Sequence, residues 1–228
     1  MQTYQLESLG DVAGIVLRDR QEPRPGPREI VVRVRAASIN KRDAFILKGT
    51  YPLPAKPGVV PISDGAGEVV AAGERVSRFK IGDRVAGNYF ARWKSGDLQP
   101  DVFDQLGCTL DGMLTELAVL DEEWAVRVPD HLSWEEAATL PCAGVTAWNS
   151  LVGPNPVVAG QTVLTLGSGG VSLPATGDRP GLPFLASARG AALLHGREAL
   201  RQGRDRGSLI VDRRGQDSPS DRSLPSLR

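Results

Sequence analysis

The segment TVLTLGSGGVSLPATGDRPG, residues 162–181, constrains the fold of this chain more than any other segment does. Its first half is an apolar, β-branched run that leads into glycines. That pattern is typical of the strand and turn that open a nucleotide-binding βαβ unit. A long helix should follow, but Pro174, Gly177 and Pro180 come instead. Because glycine and proline disfavour helix interiors, the sequence predicts a dinucleotide site that begins here and is not finished.

Short strand patterns broken by glycine and proline fill residues 29–129. In EIVVRVRAASIN, Ile30, Val32 and Val34 fall on one face of a strand, because side chains alternate across a sheet. Further strands are expected in PISDGAGEVVAAG, on both sides of the turn at 81–84, in GMLTELAVL and in WAVRVP. Many short strands at this spacing predict a β-rich barrel or sandwich.

The pattern changes at Ser133 and Glu136, which form the S-x-x-E capping box of a helix start. We expect Pro141 to interrupt this helix and a second helix to run from about residue 143 to residue 152. The predicted fold is therefore α+β: a β-rich, partly open barrel over residues 1–130, and the start of an α/β nucleotide-binding domain over residues 131–172.

Residues 173–228 differ in composition from the rest of the chain. They contain ten arginines, six acidic residues and no lysine. A composition rich in charged and polar residues is typical of disorder, so the sequence predicts a largely disordered basic tail. Because its arginines are interleaved with acids, a solvated extension is favoured over an arm that binds nucleic acid.

Bulk composition narrows the class of protein. Basic and acidic residues number 27 each, so the overall charge suggests neither a nucleic-acid partner nor a membrane partner. The N-terminal residues have no secretory pattern, and no apolar run is long enough to span a bilayer. We therefore expect a cytoplasmic protein. Neither of the two cysteines lies in a CxxC pair and there are only two histidines, so the ligand spacing of a structural zinc site is not present.

Four stretches in order along the chain resemble the medium-chain dehydrogenase/reductase superfamily, in its zinc-free branch of quinone-oxidoreductase-like and enoyl-reductase-like proteins. They are AASINKRDAFILKGTYP, PISDGAGEVVAAGERVSRFKIGDRVAG, EEAATLPCAGVTAWNSLV and VLTLGSGGVS. The resemblance covers residues 1 to about 172 and implies a GroES-like barrel followed by a Rossmann domain that binds NADP or NAD. Residues 173–228 do not resemble the family, which continues with further Rossmann strands.

The metal positions of the zinc-dependent relatives are occupied differently here. The resemblance places Asn40 where those enzymes have a cysteine, and Ser63 and Asp64 where they have a His-Glu pair. Serine and asparagine offer Zn²⁺ neither a thiolate nor an imidazole. We therefore expect no metal.

The resemblance also implies the residues around the nicotinamide. Asn40, Asp64 and Thr146 would line the nicotinamide end, and Tyr51 is the nearest candidate for a hydroxyl on the acceptor side. Each residue has a structural alternative: turn backbone for Asn40, an Asx-turn for Asp64, a bond to a helix carbonyl for Thr146 and loop packing for Tyr51.

The predicted phosphate turn fits G-x-G-x-x-G except at its last position, where serine replaces glycine. Its candidate cofactor-binding residues are Gly167, Gly169, Gly170, Val171 and Ser172. An acid that would bind the ribose is expected about twenty residues after the turn, but FLASARGAA covers that region without one.

The sequence thus predicts an NAD(P)-dependent, zinc-independent oxidoreductase that transfers a hydride to a quinone, an enone or a carbonyl, with activity impaired in this chain. The alternative is a non-catalytic GroES-like fragment or interaction module. We expect a small-molecule substrate, no nucleic-acid or membrane partner, and no defined homodimer. Strand 162–166 is expected to have few neighbours and an unpaired edge, which favours nonspecific association.

Overall fold

The structure is a computed structural model that describes residues 1–97, 99–158, 162–166, 169–172, 175 and 208–212. The chain divides into two compact units, Met1–Val145 and Thr146–Arg228, and each is described by itself. Every helix among the described residues is too short or too polar to cross a bilayer.

The first unit contains seven strands and most of the helical segments. The strands are β1 Gln2–Leu6, β2 Ile15–Asp19, β3 Glu29–Ser38, β4 Asp64–Ala72, β5 Arg84–Gly87, β6 Leu117–Asp121 and β7 Ala125–Arg127. The helices are α1 Lys41–Leu47, α2 Trp134–Ala138 and a π-helical turn, Leu140–Gly144, while α3 Val145–Val152 begins at the boundary and runs into the second unit. Short 3₁₀ turns lie at Val12–Gly14, Pro100–Val102 and Glu122–Trp124.

A five-stranded antiparallel sheet in the order β6-β3-β4-β5-β7 forms the partly open barrel that the sequence predicts. The alternation in β3 is confirmed from Val32 onward, but Val31 is buried too, next to a register shift in the pairing with β4. Such a bulge turns consecutive side chains away from strict alternation. The main core contains Ile30, Val32, Val69, Phe79, Val85, Leu106, Met113 and Leu120.

The predicted strand before the turn at 81–84 is wrong. Strand β5 follows the turn, but residues 76–80 have no strand pairing. Instead, the Asp83 carboxylate accepts the Lys80 backbone N–H at 2.9 Å. A side chain therefore holds this turn where a hairpin ladder was expected.

The capping box at the start of α2 is confirmed. Ser133 Oγ accepts the Glu136 N–H at 3.1 Å, and the Glu136 carboxylate accepts the Ser133 N–H at 3.0 Å. Ala137 and Ala138 pack this helix against the sheet. The predicted interruption at Pro141 is confirmed, since α2 ends at Ala138 and α3 runs to Val152. The interruption is a π-helical segment with Pro141 in its first turn, where a missing N–H is tolerated.

In the second unit, β8 Thr162–Leu166 pairs antiparallel with β9 Ser208–Asp212. Among the described residues, strand 162–166 thus has one neighbouring strand, as the expectation of few neighbours has it, but this partner was not predicted. The run SLIVD at 208–212 supplies the partner, because its β-branched apolar residues favour a strand within the otherwise polar tail. Val163 is buried with Ala147, Leu151, Val157 and Ala175.

Glu122 is a buried carboxylate that ties two loops of the first unit together. It is 1% exposed, and its Oε2 accepts the backbone N–H groups of Ser77 and Arg78 at 2.8 and 2.9 Å. Arg28 lies 3.2 Å from its other oxygen. These hydrogen bonds lower the pKa of Glu122. No sequence pattern indicates this contact, because the partners lie 44 and 45 residues away.

Replacing Glu122 with Gln is expected to lower the free energy of unfolding by about 2–3 kcal/mol, because buried hydrogen bonds to a charged acceptor are lost. The matched control is Glu123→Gln, whose solvent-screened pair with Lys94 should contribute much less than the buried contacts of Glu122. Because the pKa of Glu122 is lowered on folding, its contribution is full above the unfolded pKa and is lost as the pH falls through the folded pKa. Urea unfolding at neutral and acidic pH measures both effects, and equal losses in the two variants would contradict the account.

Candidate functional site

A polar cluster, here called the Arg42 cluster, lies inside the first unit where several loops converge. Its members are Asn40, Arg42, Asp43, Tyr51, Ser63, Asp64, Tyr89, Gln105 and Cys142. They come from the N-terminus of α1, the loop after it, the start of β4, the loops after β5 and before β6, and the π-helical turn. Positions far apart in the sequence thus meet through the antiparallel sheet.

Arg42 is at the centre of this cluster and is only 7% exposed. Its Nη1 donates to the Leu106 carbonyl at 3.0 Å and lies 3.3 Å from the Asp43 carboxylate. Its Nη2 donates to Gln105 Oε1 at 3.3 Å. The Nε of Arg42 is buried with no hydrogen-bond acceptor among the described residues. The guanidinium therefore has one carboxylate partner, Asp43, together with the neutral acceptors Leu106 and Gln105.

Two tyrosine rings flank this cation. The guanidinium carbon lies 4.7 Å from the centroid of the Tyr89 ring and 5.4 Å from that of Tyr51, within the range of cation–π attraction. The two hydroxyl oxygens are 2.8 Å apart, and the Tyr51 hydroxyl also donates to Gln105 Oε1 at 2.8 Å. Burial raises the pKa of Tyr89 well above its usual range, so this hydroxyl keeps its proton at neutral pH.

Asp64 has no exposed surface, and its two oxygens have separate partners. The Ser63 hydroxyl donates to Oδ1 at 2.5 Å, and the Cys142 backbone N–H donates to Oδ2 at 3.0 Å. Burial raises the pKa of Asp64, and the hydrogen bond from Ser63 and the approach of the Asn40 side chain oppose the rise. This carboxylate therefore joins the start of β4 to the π-helical turn.

Asn40 lies at the N-cap of α1 in extended conformation. Its backbone N–H donates to the Asp43 carboxylate at 2.8 Å. The main chain of Asn40 therefore has the structural role in a turn that was the alternative to a functional role. Its side-chain Nδ2 is buried and has no hydrogen-bond partner among the described residues. The Asn40 side chain approaches the Asp64 carboxylate and opposes the rise in pKa that burial causes there, although the geometry is not that of a good hydrogen bond.

Ile62, directly before Ser63, has a φ of 70°. This left-handed conformation is rare for a β-branched residue and costs about 1–3 kcal/mol. The backbone here is crowded, because a Cβ on Gly107 would lie 2.6 Å from the Ile62 carbonyl carbon. The close approach of these two segments holds Ile62 in its strained conformation and directs Ser63 and Asp64 inward.

The Cys142 thiol is expected to be unreactive at neutral pH. Burial, and secondly the negative charge of Asp64, raise its pKa to about 12. At pH 8 its thiolate fraction is then about 1 in 10,000, against roughly a quarter for an ordinary thiol, and the thiolate is the nucleophile.

We therefore expect iodoacetamide to alkylate Cys142 at least about 100-fold more slowly than glutathione at pH 8, with a rate that still rises above pH 10. Peptide mass spectrometry of timed samples measures this rate. The denatured chain is the control and should react at the rate of a free thiol. Alkylation of native Cys142 at nearly the glutathione rate would contradict the assignment.

The described residues contain no group of three or more His, Cys, Asp and Glu side chains that could hold a metal ion. At the positions where the zinc-dependent relatives have metal ligands, the Ser63 hydroxyl donates a hydrogen bond to the Asp64 carboxylate, and the side chain of Asn40 is an amide.

The predicted cofactor residues are divided between the two units. Thr146 is exposed on α3 in the second unit, where its carbonyl accepts the Ser150 hydroxyl at 2.8 Å. After β8, Gly169 and Gly170 are exposed, Val171 is half-buried and Ser172 is buried. Gly167 lies outside the described residues.

The residues after β8 fit the start of a pyrophosphate turn. The Ala175 N–H donates to the Val171 carbonyl at 3.3 Å, which closes a first helical turn. Among the described residues, no atom lies within 4 Å of a Cβ added to Gly169. A strand, a glycine turn and a helix start are the elements that hold a dinucleotide phosphate.

Five members of the Arg42 cluster were not predicted from sequence: Arg42, Asp43, Tyr89, Gln105 and Cys142. Arg42 stands in the polar run NKRD, where an arginine is usually solvated. Its burial depends on loops 47 to 64 residues further along the chain. The quoted resemblance did include Arg42, within INKRD, and this was the only available signal.

Comparison with known proteins agrees with this architecture. Residues 26–130 match the alcohol dehydrogenase GroES-like domain family. A zinc-type alcohol dehydrogenase-like protein of Schizosaccharomyces pombe is 48% identical over 64% of this chain and 43% of its own length. A quinone oxidoreductase of Pseudomonas aeruginosa is 37% identical over 74% of this chain and 46% of its own length. A crystal structure of an NAD-dependent alcohol dehydrogenase, 32% identical, superposes over 77% of this chain and 54% of its own length with a TM-score of 0.68.

Residues 26–130 match a GroES-like domain of alcohol dehydrogenases, and the chain is similar to medium-chain alcohol dehydrogenases and quinone oxidoreductases, which confirms the resemblance and the fold class predicted from sequence. Relatives in this group are named as oxidoreductases. The chain spans about half the length of the relatives that it matches.

Proposed function

We propose that residues 1–172 are the acceptor-side part of an NAD(P)-dependent, zinc-independent oxidoreductase that delivers a hydride to a quinone, an enone or a carbonyl. The observation that carries this proposal is the Arg42 cluster, in which the ring of half-buried Tyr51 lies beside a buried cation and the Asn40 side-chain nitrogen is buried near Asp64. Groups of this kind stabilise charge on an acceptor oxygen by hydrogen bonds and require no metal.

In this reaction, a bound reduced nicotinamide supplies the hydride. Tyr51 donates its proton to the acceptor, and the Asn40 Nδ2–H hydrogen-bonds the acceptor oxygen as negative charge develops. Asp64 acts through the backbone of the π-helical turn, since both of its oxygens are already bonded. Thr146 lines the nicotinamide end by resemblance to the family.

The residues that would hold the cofactor are Gly167, Gly169, Gly170, Val171 and Ser172. The glycine turn after β8 supports this role, and one relative is named as NAD-dependent. The choice between NADP and NAD depends on the ribose ligand, and no acid stands in the expected segment. We therefore propose either cofactor and weak binding by the 228-residue chain.

Zinc independence is tested by elemental analysis of the dialysed, tag-free chain. Asn40 and Ser63 are poor zinc ligands, and Asp64 is bonded on both oxygens, so we expect far less than one zinc per chain and no effect of chelation on the folded state. Stoichiometric zinc, lost together with thermal stability on chelation, would overturn this part of the proposal.

A second candidate is a non-catalytic GroES-like fragment or interaction module. It is favoured by the antiparallel pairing of β8 with β9, since the sheet of a dinucleotide-binding domain is mostly parallel. NADPH fluorescence separates the two candidates. A spectral shift that saturates on adding the chain supports the oxidoreductase, and no shift at millimolar cofactor favours the fragment.

The proposed partners follow from the same features. We propose a small-molecule substrate, a cytoplasmic location, and no nucleic-acid or membrane partner. We also propose that the chain forms no defined homodimer. A clean dimer with a concentration-independent sedimentation coefficient would contradict the last point.

Catalysis is best tested in a fusion of residues 1–172 with the nucleotide-binding half of the Pseudomonas aeruginosa quinone oxidoreductase, which is aligned with this chain over 170 residues. This protein is called the fused chain below. The substrates are NADPH and a small enone, and the readout is NADPH absorbance.

A further inference from the structure

The donor and the acceptor of each hydrogen bond around Tyr51 can be assigned. The acceptor atom of Gln105 receives bonds from both Arg42 Nη2 and the Tyr51 hydroxyl. Two donors aimed at one atom require an oxygen there, which fixes the orientation of the Gln105 amide. Tyr51 has a single proton and gives it to this oxygen. The 2.8 Å bond between the two hydroxyls is therefore donated by Tyr89 to the Tyr51 oxygen.

The Tyr51 oxygen thus accepts one hydrogen bond and donates another, and its ring lies beside a cation. Arg42 approaches both rings, and burial restricts solvent screening of its charge. Its Nε–H has no acceptor among the described residues. The Arg42 cation, 5.4 Å from the Tyr51 ring, stabilises negative charge on the Tyr51 oxygen, and the Asp43 carboxylate paired with Arg42 reduces this effect.

We propose that Arg42, Tyr89 and Gln105 are positioning residues that prepare the Tyr51 hydroxyl as the proton donor of the reaction. The inference rests on the proposed function and deepens it. Gln105 holds the Tyr51 proton until an acceptor oxygen or carbon competes for it. Tyr89 donates to the Tyr51 oxygen. Arg42 contacts both tyrosine rings and Gln105 and fixes their relative positions.

The step balances in the following way. With a reduced nicotinamide bound, its C–H bond would break as a C–H bond forms on the acceptor, and the Tyr51 O–H bond would break as a second C–H or O–H bond forms on the acceptor. The acceptor leaves as the two-electron-reduced product and the nicotinamide leaves oxidised. The Tyr51 oxygen, negatively charged after the transfer, keeps the hydrogen bond from Tyr89 and regains a proton from water.

A purely structural role is the competing explanation. Arg42 also ties α1 to the Leu106 carbonyl, and its loss could loosen the loop without affecting proton transfer. Tyr89→Phe avoids this difficulty, because it removes one hydroxyl and leaves the ring and Arg42 in place. Tyr4→Phe is the matched control, since Tyr4 lies on β1 and is 39% exposed.

The first readout needs no turnover. The chain has three tyrosines, so 3-fluorotyrosine labelling gives three ¹⁹F signals, which single Phe substitutions assign. In the 228-residue chain, Tyr89→Phe is expected to move the signal of ring 51, because the hydrogen bond to its oxygen is lost. Tyr4→Phe is expected to leave that signal in place. An unmoved ring-51 signal in Tyr89→Phe would overturn the hydrogen-bond network.

The second readout is steady-state kinetics of the fused chain with an enone. Tyr89→Phe is expected to lower kcat about 10-fold with KM changed less than 2-fold, because the bond from Tyr89 strengthens only as charge develops. Arg42→Met is expected to lower kcat about 100-fold, with partial recovery in Arg42→Lys, while Arg75→Met on the surface leaves it unchanged.

The outcomes separate the two proposals. If Tyr89→Phe moves the ring-51 signal but has the same kcat as the control Tyr4→Phe, the positioning role is overturned. The proposed function would remain intact in that case. A fused chain with no turnover, wild type included, would count against the proposed function and the proton-donor role that rests on it.

Discussion

Tyr51→Phe in the fused chain is expected to lower kcat for enone reduction about 100-fold or more, with KM little changed. A positioned general acid contributes roughly 10²–10⁴-fold to a rate, and Phe keeps the ring that packs beside Arg42 while removing the proton. The hydroxyl has two polar neighbours, Tyr89 and Gln105, and neither replaces it as a donor to the acceptor.

The measurement is the initial rate of NADPH oxidation over a range of enone concentrations. Tyr4→Phe is the control and should keep both parameters within about 2-fold of wild type, since Tyr4 lies outside the Arg42 cluster. A Tyr51→Phe protein with a kcat within about 3-fold of the control would remove Tyr51 from the chemistry and leave it as a packed loop aromatic.

Gly107→Ala is expected to destabilise the first unit by about 3 kcal/mol or more. Gly107 has a φ of +70°, which a Cβ disfavours by about 1 kcal/mol. The new Cβ would also lie 2.6 Å from the Ile62 carbonyl carbon and 2.7 Å from its nitrogen. Backbone atoms cannot swing aside as a flexible side chain can, so overpacking is added to the conformational strain.

Gly82→Ala is the matched control. Gly82 also has a positive φ, +91°, but an added Cβ would meet nothing within 4 Å, so only the conformational penalty of about 1 kcal/mol is expected. Urea unfolding of both variants measures the difference. Equal losses of unfolding free energy in the two variants would show that Gly107 does not approach the Ile62 backbone closely. The inward direction of Ser63 and Asp64 would then have no explanation.

Local patterns predicted most of the first unit. The alternating residues of β3 and the capping box at Ser133 and Glu136 are short-range signals, and the structure confirms both. The π-helical turn at Pro141 was not predicted, because the choice between a break and a wider turn depends on packing against β4. Strand β9 was missed because a five-residue apolar run is a weak signal within a polar segment.

The centre of the candidate site was harder to predict, because it is formed by contacts between segments that are far apart in the sequence. Tyr51 and Asn40 were proposed only through resemblance to a family. Arg42, Tyr89 and Gln105 acquire their roles from contacts between loops 38 to 63 residues apart. Glu122 is a similar case, since an acid next to another acid in DEEW suggests a solvated surface, yet it is buried.

The central claim is that residues 1–172 contain the acceptor side of a reductase and that residues 173–228 do not supply the rest of the cofactor site. The segment after Ser172 has no acid at the expected ribose position, and β8 pairs antiparallel with β9. Without a rigidly held cofactor, the hydride donor and the acceptor are not kept in reactive geometry, which is worth many orders of magnitude in rate.

The most direct measurement compares the 228-residue chain with the fused chain, using NADPH and the same small enone at equal protein concentrations. We predict turnover by the fused chain and a rate at least about 1,000-fold lower for the 228-residue chain. Comparable turnover from the two proteins would contradict the account, because residues 173–228 would then complete a working cofactor site.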